Sequence, residues 1–160
     1  MSSEPSATST LAQQAIQVCL CFHARKSARA LSQVFDHALA STGLKATQVS
    51  LLMVVSAQEP IKIGDLADAL VTDSTTVSRT LKPLLAKGLL DVSTAPKDRR
   101  TKIVRLSLAG RRMLDVALPL WQMAQTSAVR QLGGATVQTL LPGLEAAATL
   151  GPNGPGPEQI

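Results

Sequence analysis

The stretch from Asp73 to Lys87, DSTTVSRTLKPLLAK, places the tightest constraint on how this chain can fold. Val77, Leu81, Leu84 and Leu85 recur at i, i+4, i+7 and i+8, a spacing that lines up side chains along one face of an α-helix and seats that face on a core. Thr72 or Asp73 can cap the start. Ser74, Thr75, Thr76, Ser78 and Arg79 crowd the first two turns on the other face. Such a segment is either an ordinary amphipathic surface helix or a helix whose polar end enters the major groove of a duplex and meets phosphates and base edges. Its neighbours in sequence discriminate between the two.

Upstream, Ile61-Lys62-Ile63 is a short β-like run and Gly64 to Leu70 reads as a two-turn helix, followed by a turn at Val71-Thr72-Asp73. Two short helices joined by a three- to four-residue turn, the second polar on its outer face, make a helix-turn-helix. Downstream, Gly88 stops the helix. Leu89 to Ser93 reads as a strand, with Lys102 to Leu108 as its antiparallel partner through Ile103, Val104 and Leu106. The basic tip between them spans Lys97 to Arg105, with five cations (Lys97, Arg99, Arg100, Lys102 and Arg105) against the single acid Asp98. A helix-turn-helix followed by a charged hairpin is a winged helix, whose wing can track phosphates or enter a minor groove. The alternative for the tip is a solvated charge run. Pro83 removes a hydrogen bond to the carbonyl of Arg79, so a bend is expected there.

With 160 residues and 45% hydrophobic composition, the chain can bury one core. Its formal charge of +5 favours a polyanionic partner. Two Phe, one Trp and no Tyr leave little for stacking on single-stranded nucleic acid, whereas double-stranded DNA remains open. No apolar run approaches the roughly 20 residues of a membrane span, and MSSEPSATST lacks a secretory pattern, so a cytoplasmic protein without membrane contact is expected. Cys19 and Cys21 cannot make a disulfide framework, and no further Cys or well-spaced His completes a zinc site. No metal or cofactor is expected. Without a Gly-rich phosphate loop, a paired-carboxylate site or a nucleophile-base motif, nothing suggests an enzyme.

The rest of the chain reads as helical. Residues 1–10 are a polar arm expected to be disordered. From Leu11 to Ser41 there is no Pro or Gly, which predicts one long helix ended by Thr42-Gly43. Its part from Ala15 to Phe22 is apolar almost all round, which points to a second subunit as cover. Thr47 can cap a buried helix over Gln48 to Ala57, broken by Glu59-Pro60. Ser107 can cap another from Leu108 toward Leu132 that Pro119 should kink or divide. Gly133-Gly134 interrupts, Thr136 to Leu150 is helical again, and residues 151–160 form a tail expected to be disordered. The fold class is therefore mainly α with a small β-hairpin wing. A first dimerisation helix at 11–43, a winged helix-turn-helix lobe at 44–110 and C-terminal dimerisation helices at 111–150 make up the organisation.

Over residues 11–150 the chain resembles the MarR family of bacterial transcription regulators. The wing carries the most specific match: Asp98-Arg99-Arg100 followed by Ile103-Val104-Arg105-Leu106-Ser107-Leu108-Ala109-Gly110 is similar to the family's D-x-R…V-x-L-T-x-x-G. Lys87-Gly88-Leu89-Leu90 resembles the K/R-G-L-V/I that closes its recognition helix. The resemblance implies that Arg100 enters a minor groove, braced by Asp98, with Lys97, Arg99 and Lys102 alongside. It implies that Ser74, Thr75, Thr76, Ser78 and Arg79 face the major groove, and that an obligate homodimer intertwines its terminal helices on a pseudo-palindromic operator.

Leu20-Cys21-Phe22 resembles the L-C-F of the family's organic-hydroperoxide regulators. Those proteins set tyrosines near the thiolate; this chain has none, and Phe35 looks to fill the position of one. Cys19 and Cys21, two apart on one helix, would lie about 200° apart around its axis and be poorly placed to bridge. Free cysteines are commonly small core hydrophobes, and apolar burial is expected to keep Cys21 unreactive. His23, Arg25, Lys26 and Arg29 could lower a thiol pKa if they point toward it. His23 and His37 could line a pocket for a small acidic or phenolic effector, or be plain histidines. The expectation is a homodimeric repressor released by such an effector. The alternatives are a repressor triggered by oxidation of Cys21, and a winged-helix interaction module that does not bind DNA.

Overall fold

The computed structural model describes residues 6–96 and 98–150; residues 1–5 of the expected arm, the expected tail at 151–160, Lys97 and the side chain of Arg99 lie outside the described residues. The chain divides into two compact units, one ending at Val34 and the other beginning at Phe35.

The first unit is helical. Helix α1, Ala7–Val18, starts inside the segment expected to be disordered, because Ser6 caps it: the Ser6 hydroxyl accepts the Ser9 N–H at 3.2 Å. The single helix expected over 11–41 is in fact two. Cys19 leaves helical torsions (φ −73°, ψ 105°) and its sulfur accepts the Phe22 N–H at 3.4 Å, capping a new helix, α2, Leu20–Ala38. Across the break, His23 Nε2 donates to the Gln17 carbonyl at 3.2 Å, one of the oxygens freed at the end of α1. No residue of α1 or α2 is buried.

The second unit holds the core. It begins in the last turn of α2 and passes through a 3-10 turn, Ala40–Thr42, to Gly43, whose φ of 66° is the left-handed value expected after a helix. Helix α3, Ala46–Gln58, is started by Asp36 and Gln48 rather than Thr47: Asp36 Oδ1 accepts the Ala46 N–H at 2.7 Å and Gln48 Oε1 accepts the Lys45 N–H at 2.9 Å. As its composition predicts, α3 is buried through Val49, Leu51, Leu52 and Val55. Strand β1, Ile61–Lys62, leads directly into α4, Ile63–Ala69. Helix α5, Ser74–Ala86, follows a turn in which Val71 takes a φ of 49°. Val77, Leu81 and Leu84 sit in the core as the sequence predicts, while Leu85 stays 37% exposed. The helix continues through Pro83.

Strands β2, Leu90–Ala95, and β3, Asp98–Leu106, extend much closer to the wing tip than expected. They pair from Leu90↔Leu106 to Thr94↔Lys102, with a bulge before Ala95↔Asp98. The β-like run at Ile61-Lys62-Ile63 supplies a third member, whose partner the sequence does not announce: β1 pairs with β3 (Ile61↔Val104, Lys62↔Ile103), giving the order β1-β3-β2. Ser107 caps α6, Leu108–Leu132, as predicted, its hydroxyl accepting the Gly110 N–H at 2.9 Å. Pro119 does not divide α6, because Leu114 and Ala117 before the proline and Leu120 after it hold the helix to the core. Gly133 (φ 85°) separates it from α7, Gly134–Ala148, which buries nothing. Leu140, Leu141 and Leu144 remain exposed there.

Candidate nucleic-acid interface

Helices α4 and α5 with the turn between them form a helix-turn-helix, and Asp73 fixes where its second helix starts. The Asp73 carboxylate accepts the Thr76 hydroxyl at 2.7 Å and the Thr76 N–H at 2.9 Å. Those two bonds, the hydroxyl's first, hold the carboxyl below its ordinary range. Ser78 donates to the Ser74 carbonyl at 2.7 Å, so its oxygen keeps its acceptor sites for a ligand. Ser74, Thr75, Thr76, Ser78 and Arg79 are all exposed, while Val77 between them is buried. The helix thus presents a hydroxyl-rich, cationic end and hides its apolar stripe.

Each residue of Lys87-Gly88-Leu89-Leu90 acquires a physical role. Lys87 Nζ donates to the Gly43 carbonyl at 2.7 Å, tying the end of α5 to the turn before α3. Gly88 takes a φ of 67°, the left-handed conformation that lets the chain leave the helix and enter β2. Leu89 and Leu90 are buried.

The wing is braced at its tip. Asp98 Oδ2 accepts the Thr101 hydroxyl at 2.6 Å and Oδ1 accepts the Arg100 N–H at 2.9 Å. The Thr101 bond, then the Arg100 bond, keep this exposed carboxyl ionised below the usual range. Asp98 is thereby committed to the turn, and the guanidinium of Arg100 is left exposed. Lys102 is exposed on β3. Lys62, which the sequence shows only as the middle of a short β-like run, joins them: Lys62, Ile63, Gly64 and Asp65 from β1 and α4 line a groove of about 390 Å³ with Arg100, Thr101 and Lys102 from the wing. The sequence marks Ile61-Lys62-Ile63 as β-like but carries no signal that sets Lys62 beside the wing, because its pairing with Ile103 joins residues far apart in the chain.

At its base the wing is held to α6. Glu59 Oε2 accepts the Leu106 N–H at 2.7 Å and Oε1 pairs with Arg111. Burial pushes this carboxyl up, but Arg111, the Leu106 N–H and the charge of Arg105 outweigh it and hold it below its ordinary value.

The residues weighed for an effector or redox role are split between the units: Cys19, Cys21, His23 and Arg25 belong to the first, Phe35 and His37 to the second. Cys19 and Cys21 are both exposed free thiols, so the expected apolar burial of Cys21 is absent within the chain. Cys19 lies outside the helix that holds Cys21, so the two thiols are not set about 200° apart on one helix as expected. The His23 ring packs edge-on against Phe22 at 5.6 Å, and Phe35 lies 6.3 Å from Trp121. Arg25 lines a shallow concavity with Ala28 and Arg29, and His37 is exposed. Among the described residues no group of His, Cys, Asp or Glu could hold a metal ion.

A helix-turn-helix followed by a basic hairpin, whose strands join β1 in a three-stranded sheet, defines a winged helix-turn-helix protein. The model of the MarR family matches residues 44–102. The transcriptional regulator MosR of M. tuberculosis, solved in complex with DNA, is 34% identical, over 81% of this chain and 96% of MosR, with a TM-score of 0.72. An uncharacterized HTH-type transcriptional regulator of Bacillus subtilis, YdgJ, is 33% identical over 76 residues, 48% of this chain and 46% of YdgJ; the match spans about half of that relative's length. The repressor CouR of Rhodococcus jostii, solved on a 23-mer DNA duplex, shares the fold at 23% identity, over 91% of this chain and 99% of CouR, with a TM-score of 0.76. The chain belongs to the MarR family.

Proposed function

We propose that the protein is a cytoplasmic, homodimeric transcriptional regulator that reads double-stranded DNA and represses until a small acidic or phenolic effector releases it. The observation that carries the DNA reading is the exposed end of α5, Ser74 to Arg79, set in the same lobe as a wing tip whose single acid, Asp98, is committed to bracing the turn. In this reading α5 meets base edges and phosphates in the major groove. Arg100, with Lys97, Arg99 and Lys102, follows the backbone or enters the minor groove. The DNA complexes of MosR and CouR support it.

Dimerisation is supported by apolar side chains left in water by the isolated chain, among them Leu11, Ile16 and Leu20 in the first unit and Leu141 in α7. A two-fold dimer suits a pseudo-palindromic operator. The complex of CouR with p-coumaroyl-CoA supports release by a ligand. Release requires an effector that binds one spacing of the two recognition helices more tightly than the other. Nothing in this reading requires catalysis.

The deciding experiment is a gel shift on the promoter of the chain's own gene across a salt series. Wild type is expected to bind with a steep loss as salt rises. Arg100→Ala should remain a folded dimer, bind more weakly and lose roughly 0.9 from the salt slope. An interaction module without DNA binding would show no salt-sensitive shift at all.

Exposure of Cys19 and Cys21 favours a second reading, in which oxidation of Cys21 is the trigger. Release by hydroperoxide, reversed by dithiothreitol and absent in Cys21→Ser, would select it over the small-ligand reading.

A further inference from the structure

We propose that Lys62, Arg100 and Lys102 together seat one phosphate of the DNA backbone in the groove between the start of α4 and the wing, with Lys62 a contact residue in its own right. The inference rests on the DNA-binding reading above and deepens it.

Lys62 occupies the N-cap position of α4 and makes no side-chain capping bond. It is a poor residue for that task. A cap needs an acceptor, whereas an ammonium has three donors and none, and its charge opposes the positive end of a helix. A residue that breaks a local rule without a local gain marks a place where function outweighs stability. Pairing of Lys62 with Ile103 fixes the backbone of the lysine beside the wing, where its side chain lines the groove.

The groove gathers three cations, Lys62, Arg100 and Lys102, against one acid, Asp65. Neither ion pair among the described residues, Lys45–Asp36 or Glu59–Arg111, includes any of the three cations. Asp98, the nearest acid in sequence to Arg100, is turned to the Thr101 hydroxyl and a backbone N–H. Like charges in one groove repel unless an anion lies among them. The floor is open: a Cβ on Gly64 would meet nothing within 4 Å. An anion on an extended polymer can be laid into so open a groove and be held by its neighbouring contacts, which a free ion does not have. A backbone phosphate therefore fits better than a small soluble anion.

The test uses the full chain, a duplex carrying its own promoter and a mixed-sequence duplex of equal length. Lys62→Ser supplies a capping acceptor and removes the charge. It is expected to melt at an equal or higher temperature, to bind both duplexes several-fold more weakly, and to lose about 0.9 from the salt slope. Lys62→Arg should restore most of the affinity. A lysine of merely structural importance would instead lower stability and affinity together. Unchanged affinity and slope in Lys62→Ser, while Arg100→Ala loses both, would overturn the groove assignment and leave the DNA reading standing. Absence of salt-dependent binding by wild type would overturn both. A thermal shift by inorganic phosphate that Lys62→Ser abolishes, with duplex binding unchanged, would assign the groove to a free anion and overturn the backbone contact.

Discussion

The missing side chain of Gly110 makes room for the carbonyl of Leu89: a Cβ at position 110 would fall on that oxygen. The same carbonyl accepts the Ser107 N–H at 3.1 Å, and the Ser107 hydroxyl donates to the Gly88 carbonyl at 2.6 Å. The start of α6 is thus locked onto the start of β2, and the glycine of the family's wing pattern acquires a steric reason.

Gly110→Ala should therefore destabilise the fold by about 1–3 kcal/mol, since the obstacle is backbone rather than a side chain that can rotate away. Gly64→Ala, which meets nothing within 4 Å, is the control and should leave folding nearly unchanged. Paired thermal melts compare them directly. Equal melting temperatures would show that α6 can shift to accommodate the methyl group.

Glu59 should make stability pH-dependent on the acid side. Its folded-state pKa lies below the ordinary 4.5, so the unfolded chain takes up its proton first as pH falls. The contribution is complete above pH 4.5 and is lost as pH drops through the lowered folded value. Glu59→Gln should flatten this limb of a plot of stability against pH. Because the Leu106 N–H and Arg111 both lose a charged partner, it should cost about 1–3 kcal/mol at neutral pH. An acid limb identical to that of wild type would assign the dependence to other carboxylates.

Asp98→Ala should loosen the wing without unfolding the lobe, as the lost bonds lie at an exposed tip. Operator affinity is expected to fall although a negative charge has been removed from a DNA-facing surface. Tighter binding would mean that charge outweighs bracing.

Deleting residues 1–30 should abolish the stable dimer and DNA binding together, because the apolar stretch from Ala15 to Phe22, across the end of α1 and the start of α2, would no longer cover the partner. Sedimentation and gel shift read the two losses. A truncated chain that remains a DNA-binding dimer would refute the role given to the first unit.

Local rules carried much of this protein. The stripe of Val77, Leu81 and Leu84, the caps at Asp73 and Ser107, the stop at Gly88 and the apolar run of Ile103, Val104 and Leu106 each depend on residues within a turn or two of one another, so a linear string reveals them. Resemblance supplied the wing's brace, and Asp98 sits where that brace requires.

What required the tertiary structure lies in pairs far apart in sequence. Pairing of Ile61 with Val104 brings Lys62 beside Arg100 and Lys102, and Glu59 meets Arg111 across the base of the wing. Propensity also yields to packing. Pro83 and Pro119 stay inside continuous helices because Leu81 and Leu84 flank one, and Ala117 and Leu120 the other, on the core. In the first unit, with nothing buried to hold a single helix together, Cys19 leaves the helix and its own sulfur caps the next. Apart from the break at Cys19, the sequence by itself determined the elements from α2 onward and their order, because those follow from short-range periodicity and capping. The third strand, the groove and the exposure of both cysteines were decided by long-range pairing and by which faces the core covers.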